Sequence, residues 1–294
     1  MKAISSCIRF IVLSNLFLSV CVTCFTAKTS LILFGNNGNL HVNLLVFFLT
    51  LFFYGFHGFY PGLGLPAESN DLKIKSGKNP PEILYYYIIV IACIGAITQL
   101  LFMPSRIWFI LLPAAAIAFG YSIPFIKTGN RIIRLRDILW LKVFWIALTY
   151  AWLTTFLPIA YILPFKGLLQ PGVLFIFTRN FLFVFALAIP FDIRDMKTDL
   201  VHGVKTLPVL LGIKGAIRVA LLLLLAFMVT TLLQVTMYHI PVTICIALLL
   251  SAIEAALVIP LTTPEKSNLF FPFAIESSML LQWVLLFIFL SIKI

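Results

Sequence analysis

Residues 219–235 read Val-Ala-Leu-Leu-Leu-Leu-Leu-Ala-Phe-Met-Val-Thr-Thr-Leu-Leu-Gln-Val, without one charged side chain. They lie within an apolar stretch over 215–237. A helix needs about 20 apolar residues to cross the hydrocarbon core of a bilayer. Because a helix also satisfies its own backbone hydrogen bonds in lipid, this stretch predicts a transmembrane helix.

Eight other stretches are also predominantly apolar. Only 11% of the 294 residues are charged, whereas a soluble domain carries about 25%. We therefore predict an all-α, polytopic transmembrane helix bundle of about nine helices, forming one membrane-embedded domain over residues 1–294. The predicted spans are 10–27, 40–60, 83–103, 107–124, 138–161, 172–190, 215–237, 241–261 and 271–291.

The first predicted span has two interpretations. Lys2 and Arg9 precede its apolar run, as in a secretory signal peptide. A small-x-small cleavage site is missing, however, since Phe25 precedes Thr26 and Ala27. We predict an uncleaved first helix.

The net charge of +11 fits the distribution of Lys and Arg in membrane proteins better than binding to nucleic acid, and we predict no nucleic-acid partner. Basic residues gather in cytoplasmic loops. If the N-terminus is cytosolic, sixteen basic residues face the cytosol, one lies inside the sixth span (Arg179), and four face the other side: Lys28, Arg106, Lys166 and Lys293. This predicts a multi-pass protein with its C-terminus outside, in the inner or plasma membrane if the chain is bacterial.

A CxxC pair, Cys21-Val-Thr-Cys24, is the only cysteine motif. A structural zinc site takes about four ligands, and no second Cys or His pair accompanies this one. We interpret both cysteines as small apolar residues of a helix.

Three of the ten acidic residues lie in one segment, Asp192-Ile-Arg-Asp195-Met-Lys-Thr-Asp199. At about 100° per helical residue they fall within roughly 60° of one another. Carboxylates this close repel unless a cation lies among them, and oxygen ligands of this kind suit Mg²⁺. The alternative is a solvated helix end whose acidic spacing is accidental.

This segment is followed by Gly203-Val-Lys205-Thr-Leu-Pro and, four residues later, by Gly212. Together these residues resemble the second aspartate-rich motif of the UbiA superfamily of intramembrane prenyltransferases. Tyr121-Ser-Ile-Pro-Phe-Ile-Lys127 is similar to the Tyr-Ser…Lys at the end of the family's fourth helix. Lys142 in the next helix also fits. The resemblance implies nine helices and a cytosolic N-terminus.

The resemblance also implies a site. Asp192, Asp195 and Asp199 are its implied catalytic residues and hold Mg²⁺ on the diphosphate of a prenyl donor, whose tail stays in the apolar bundle. The implied partners are this donor, a hydrophobic acceptor and membrane lipid. The candidate substrate-binding residues are Asn15, His57, Tyr121, Lys127, Arg136, Arg194 and Lys205.

The chain departs from the family at the end of the second span. The family carries a first motif, Asn-x-x-x-Asp-x-x-x-Asp, where this chain reads Tyr54-Gly-Phe-His57-Gly-Phe-Tyr60-Pro, and the first carboxylate after it is Glu68. His57 is either a ligand or donor to diphosphate or an interfacial histidine of the aromatic belt. The missing first motif puts the binding of two metal ions in doubt, and with it catalysis.

Polar residues inside the spans are expected to face the bundle interior, because their burial in lipid is costly. They include Glu254, and Arg179 and Glu276 are candidates for an ion pair.

Three functions remain open. The first is a Mg²⁺-dependent prenyltransferase acting at the cytoplasmic membrane face. The second is an inactive relative that binds an isoprenoid diphosphate or lipid. The third, a transporter, is less favoured because matching pairs of broken helices are not evident.

Overall fold

The computed structural model describes residues 2–59, 82–123, 126–128, 131–133, 135, 138, 141–201 and 203–291. Over these residues the chain is a helix bundle, which confirms the predicted all-α class. Two three-residue strands, β1 (Ile126–Thr128) and β2 (Arg131–Ile133), pair antiparallel. The helices are α1 (Lys2–Leu13), α2 (Leu16–Phe34), α3 (Leu40–Phe59), α4 (Glu82–Leu100), α5 (Trp108–Ser122), α6 (Leu141–Ile162), α7 (Phe165–Leu168), α8 (Pro171–Val201), α9 (Leu207–Tyr238), α10 (Val242–Val258) and α11 (Ser277–Ser291).

Seven helical segments of the described chain are long and apolar enough to cross a membrane: Leu16–Phe34, Ser105–Ser122, Leu141–Ile162, Pro171–Val201, Leu207–Tyr238, Val242–Leu261 and Phe271–Ser291. Two shorter apolar helices, Leu40–Phe56 and Leu84–Leu100, accompany them. Together these segments give the nine apolar helices that the sequence predicted, and the protein is an integral multi-pass membrane protein.

The first apolar helix lies further along the chain than predicted, at Leu16–Phe34 instead of 10–27. Residues 2–13 form a separate helix, which ends because Asn15 adopts a left-handed conformation (φ 62°). Asn is one of the few residues that tolerate this conformation. The predicted span ended just before Lys28, which in fact lies buried inside α2. Lys28 therefore does not belong to the outer loops to which we assigned it.

A layer of buried polar side chains joins five helices around Lys28. Its Nζ atom donates to Oδ1 of Asn180 (2.6 Å) and to Oε1 of Gln282 (2.9 Å). The Asn180 amide in turn donates to Thr155, and the Gln282 amide to Ser251, each at 2.9 Å. Hydrogen bonds between helices matter here because lipid offers no hydrophobic drive for helix association.

Aromatic packing fills the centre of the bundle. The ring of Phe183 on α8 lies 5.9 Å from that of Phe25 on α2 and 5.1 Å from that of Phe227 on α9, between ring centroids. All three side chains are fully buried. They fix α8, the helix that carries the acidic motif, between its neighbours.

Two glycines of the motif shape the turn that follows α8. Gly203 (φ 69°) and Gly212 (φ 71°) both have left-handed backbone, which costs glycine nothing because it lacks a Cβ atom. At Gly212 the helix breaks between a first turn and the long apolar segment. The motif spacing thus returns the chain into the membrane.

Cys21 and Cys24 both lie on α2, and Cys21 is fully buried.

Candidate active site

The three aspartates of the motif lie on one helix, as predicted. Helix α8 continues past the predicted span end at residue 190 to Val201. Asp192 is 1% exposed and Asp199 is 5% exposed. We name the end of the bundle where they lie the acidic end.

A cation from another helix lies among these carboxylates. Nζ of Lys142, at the start of α6, is 3.1 Å from Oδ1 of Asp192 and 3.7 Å from an oxygen of each of Asp195 and Asp199. The three carboxylates therefore converge on one ammonium group, which reduces their mutual repulsion. We name these four residues the acid–lysine cluster.

Asp195 is also held by its neighbour Arg194. The guanidinium donates from Nε to Oδ1 (2.6 Å) and from Nη2 to Oδ2 (3.1 Å) of Asp195, the two-point geometry that arginine offers a carboxylate. It lies 5.1 Å from the ring centre of Phe191 and 5.4 Å from that of Phe271. Arg194, a predicted substrate-binding residue, thus lies at the cluster.

Lys197 points away from the cluster. It forms an exposed 3.1 Å ion pair with Glu265, and this hydrogen bond holds the pKa of the Glu265 carboxyl below its ordinary value. The position of a basic residue within the motif is therefore not enough to bring it to the carboxylates.

An apolar cavity of about 320 Å³ extends from the acidic end into the bundle. It follows α5 from Tyr121 to Trp108, a distance of about 20 Å at 1.5 Å per residue. Alanines on the facing side of α5 leave the space open. The lining residues of α5 are Trp108, Leu111, Ala114, Ala115, Ile117, Ala118, Tyr121 and Ser122, and α2, α3, α4 and α6 supply the rest.

Tyrosines join the cavity to the cluster. Tyr121 lines the cavity and interacts electrostatically with both Lys142 and Tyr54. The rings of Tyr54 and Tyr150, which also line it, lie 6.4 Å apart. A charged head and an apolar chamber are therefore contiguous, an arrangement that suits an amphiphile with an anionic head.

Glu276 approaches the same tyrosines from the last helix. It ends a π-helical turn over Phe271–Glu276, a distortion that is frequent at functional sites. Its carboxylate interacts electrostatically with Tyr54, Tyr150 and Arg194. The candidate ion pair with Arg179 does not form, because the Arg179 guanidinium lies deeper and donates to Gln234 (2.6 Å).

The donor atoms at the cluster suit Mg²⁺. Apart from the Lys142 ion pair, neither buried oxygen of Asp192 accepts a hydrogen bond from a described residue. Oxygen-only donors are the ligands that this hard cation prefers. Within the described residues no group of three Asp, Glu, His or Cys side chains is spaced to hold a metal ion as it stands, and the Lys142 ammonium lies among these three carboxylates.

The other predicted residues are placed as follows. Lys205 is exposed ahead of α9, and Asn15 is not among the residues that line the cavity. Arg136 and the side chains of His57 and Lys127 lie outside the described residues. Their roles stay predictions.

Sequence reasoning gave Lys142 only a supporting part and overlooked Tyr54 and Tyr150. No signal in the sequence marks the lysine as central, because it meets the aspartates only through the packing of α6 on α8.

The chain matches the family model of the UbiA prenyltransferase family over residues 70–281, more than two thirds of its length. No curated protein matches it in sequence.

Solved structures of UbiA homologs share the fold. That of a homolog from Archaeoglobus fulgidus bound to GPP and Mg²⁺ gives a TM-score of 0.63 at 14% identity, over 96% of this chain and 99% of that one. The apo structure of a homolog from Aeropyrum pernix K1 gives a TM-score of 0.61 at 16% identity, over 93% of this chain and 94% of that one. The structure of a digeranylgeranylglyceryl phosphate synthase gives a TM-score of 0.55 at 16% identity, over 99% of this chain and 98% of that one.

Proposed function

Since the chain belongs to the UbiA prenyltransferase family, we propose that it transfers a prenyl group from a prenyl diphosphate to an aromatic or lipid acceptor. The reaction takes place at the cytoplasmic membrane face and depends on Mg²⁺. One observation carries this proposal: Tyr121 lines the apolar cavity and also interacts electrostatically with Lys142 of the acid–lysine cluster.

The cavity receives the prenyl tail. Its lining is almost entirely apolar, and Tyr121 lies at its acidic end. A prenyl diphosphate has the same division between a hydrocarbon chain and an anionic head, so the head lies at the cluster when the tail fills the cavity. The homolog from A. fulgidus has also been solved with DMAPP and Mg²⁺.

Asp192, Asp195 and Asp199 hold the metal in this proposal. Bound Mg²⁺ would neutralise charge on the departing diphosphate. Arg194 keeps Asp195 in a fixed orientation through its two hydrogen bonds. Lys127, Arg136 and Lys205 add positive charge around the head group, where charge-assisted hydrogen bonds are strongest.

The apolar cavity protects the reacting carbon from water. Breaking the allylic C–O bond leaves positive charge on the prenyl group, and water would capture it. Tyr121, Trp145 and Tyr150 line the cavity, and aromatic faces attract positive charge. The proposal therefore assigns them both exclusion of water and electrostatic stabilisation.

The orientation in the membrane belongs to the same proposal. A cytosolic N-terminus and an outer C-terminus bring the acidic end to the cytosol, where diphosphates are soluble. Residues 1–294 act as a single domain.

An isoprenoid-binding protein without transferase activity is the second candidate. Specific observations favour it: the sequence has no Asp or Glu between residues 1 and 67, and an ammonium group lies among the three carboxylates of α8. Such a protein would bind the donor and never break it.

Turnover of purified full-length protein separates the two candidates. The protein is incubated with a radiolabelled prenyl diphosphate, Mg²⁺ and a panel of aromatic and glycerophosphate acceptors, and the apolar products are counted. We expect a labelled acceptor that is absent without Mg²⁺. Saturable donor binding with no product from any acceptor would replace the transferase with the binding protein.

A further inference from the structure

We propose that the Lys142 ammonium is a built-in cation that takes one of the cation positions of the site, so that the donor-loaded protein holds one divalent ion. This inference rests on the proposed function and specifies its metal requirement.

The first support is the position of the ammonium. Nζ of Lys142 is within 3.7 Å of all three carboxylates, and the side chain is only 15% exposed. Lysine is a compact point charge with three donors. It therefore occupies the point on which the carboxylates converge, where a metal ion would otherwise bind.

The second support is the number of oxygen donors that remain. Both oxygens of Asp195, one of the three proposed metal-holding aspartates, are shared with Arg194. The buried oxygens of Asp192 accept no hydrogen bond from a described residue apart from the Lys142 ion pair. Mg²⁺ is commonly bound through one or two carboxylates together with phosphate oxygens and water, so Asp192 with one of its neighbours suffices for a single ion.

The third support is the composition of the facing helix. Tyr54 near the end of α3 interacts electrostatically with Tyr121 and Arg194, so this helix end borders the site. From Tyr54 to Pro61 the sequence contains no Asp or Glu. Tyr54–Pro61 thus offers no carboxylate to a second divalent ion, which would have to bind among the carboxylates of α8, where the Lys142 ammonium lies.

Lys142 then interacts with two groups in turn, the aspartates of α8 and the diphosphate of the donor. Before the donor arrives it neutralises part of the charge of the three aspartates. With the donor bound, its hydrogen atoms can reach diphosphate oxygens while the ammonium remains against Asp192. In the absence of Lys142, the place among the carboxylates becomes open to a second metal ion.

Counting bound Mn²⁺ by electron paramagnetic resonance tests this inference without any turnover. Full-length protein is equilibrated with Mn²⁺ and inorganic diphosphate, and free Mn²⁺ is subtracted. We expect one Mn²⁺ per chain in the wild type and two in Lys142→Met. Lys142→Arg, which keeps the charge, and Lys197→Met, which loses an exposed lysine of the Glu265 pair, should each hold one.

Two ions in the wild type, or one in Lys142→Met, would overturn the inference and leave the proposed function intact. No Mn²⁺ in any variant would instead remove the metal site of the proposed function together with the inference. Since the wild-type count is decisive alone, the test survives if Lys142→Met fails to fold.

Discussion

The Lys28 ammonium donates a 2.6 Å hydrogen bond to Oδ1 of Asn180, twelve residues before Asp192 on the same helix. At 1.5 Å per residue, the two levels of the bundle are about 18 Å apart. The deep level orders the helices through amide and hydroxyl groups, and the acidic end carries the chemistry.

Asn180→Leu should destabilise the protein without touching the acidic end. The variant removes an acceptor of the buried Lys28 and a donor to Thr155. Groups left unsatisfied after burial cost about 1–3 kcal/mol. We expect a lower midpoint of thermal unfolding in detergent.

Asn36→Leu is the control, because Asn36 is exposed in the loop after α2. The double variant Lys28→Met with Asn180→Leu should lose less stability than the two single variants together, since it leaves no unpaired ammonium. Strictly additive losses would show that the two residues are not coupled.

Ala115→Phe should shorten the chamber for the prenyl tail. Ala115 lines the cavity six residues before Tyr121, about 9 Å from the acidic end. A phenyl ring there leaves room for a short tail only. We expect a four-isoprene donor to bind at least about tenfold more weakly, a loss of roughly 1.4 kcal/mol, while a two-isoprene donor is little affected.

Ala116→Phe is the matched control. Ala116 is the next residue of α5, but it is exposed and absent from the cavity lining. Equal losses for both donor lengths in Ala115→Phe, or the same selective loss in Ala116→Phe, would mean that the tail lies elsewhere.

The orientation of the chain is tested by reporters. The distribution of basic residues predicts a cytosolic loop over 61–82 and an outer C-terminus. Reporter fusions in that loop and after Ile294 should give opposite signals. A cytosolic signal after Ile294 would contradict an odd number of spans.

His57→Ala should lower turnover if His57 replaces the missing carboxylates. A neutral imidazole can bind a metal, and a protonated one can donate to phosphate. We expect at least about a tenfold decrease, or roughly 1.4 kcal/mol of transition-state stabilisation. His41→Ala is the control, since His41 lies at the other end of α3 and forms a hydrogen bond with the Gln99 side chain. Turnover at the wild-type rate in His57→Ala would assign His57 to the aromatic belt.

Much of the fold could be predicted from local sequence, because a membrane helix must be apolar over its whole length. The exception is α2, whose end was misjudged at Lys28. A charged residue marks a span end only when it faces water, and Lys28 instead finds partners on α8 and α11. Such partners come from distant parts of the chain and leave no local signal.

The site was predictable to the same extent. Helical spacing brought Asp192, Asp195 and Asp199 onto one face, and the structure has them on one face. The ion that neutralises them is Lys142, fifty residues earlier than Asp192, and only tertiary packing brings it there. The cavity was not predictable either. The small alanine side chains of α5 leave space only where α5 packs beside α3 and α6.

The central claim is that the three carboxylates hold a metal-bound diphosphate at the mouth of the apolar cavity. The most direct test is calorimetric titration of a non-hydrolysable prenyl diphosphate analogue into wild type, Asp192→Asn and the exposed control Glu265→Gln, with and without Mg²⁺. We expect Mg²⁺-dependent binding in wild type and control, and at least about tenfold weaker binding in Asp192→Asn, a loss of roughly 1.4 kcal/mol. Unchanged Mg²⁺-dependent affinity in a folded Asp192→Asn variant would contradict the account.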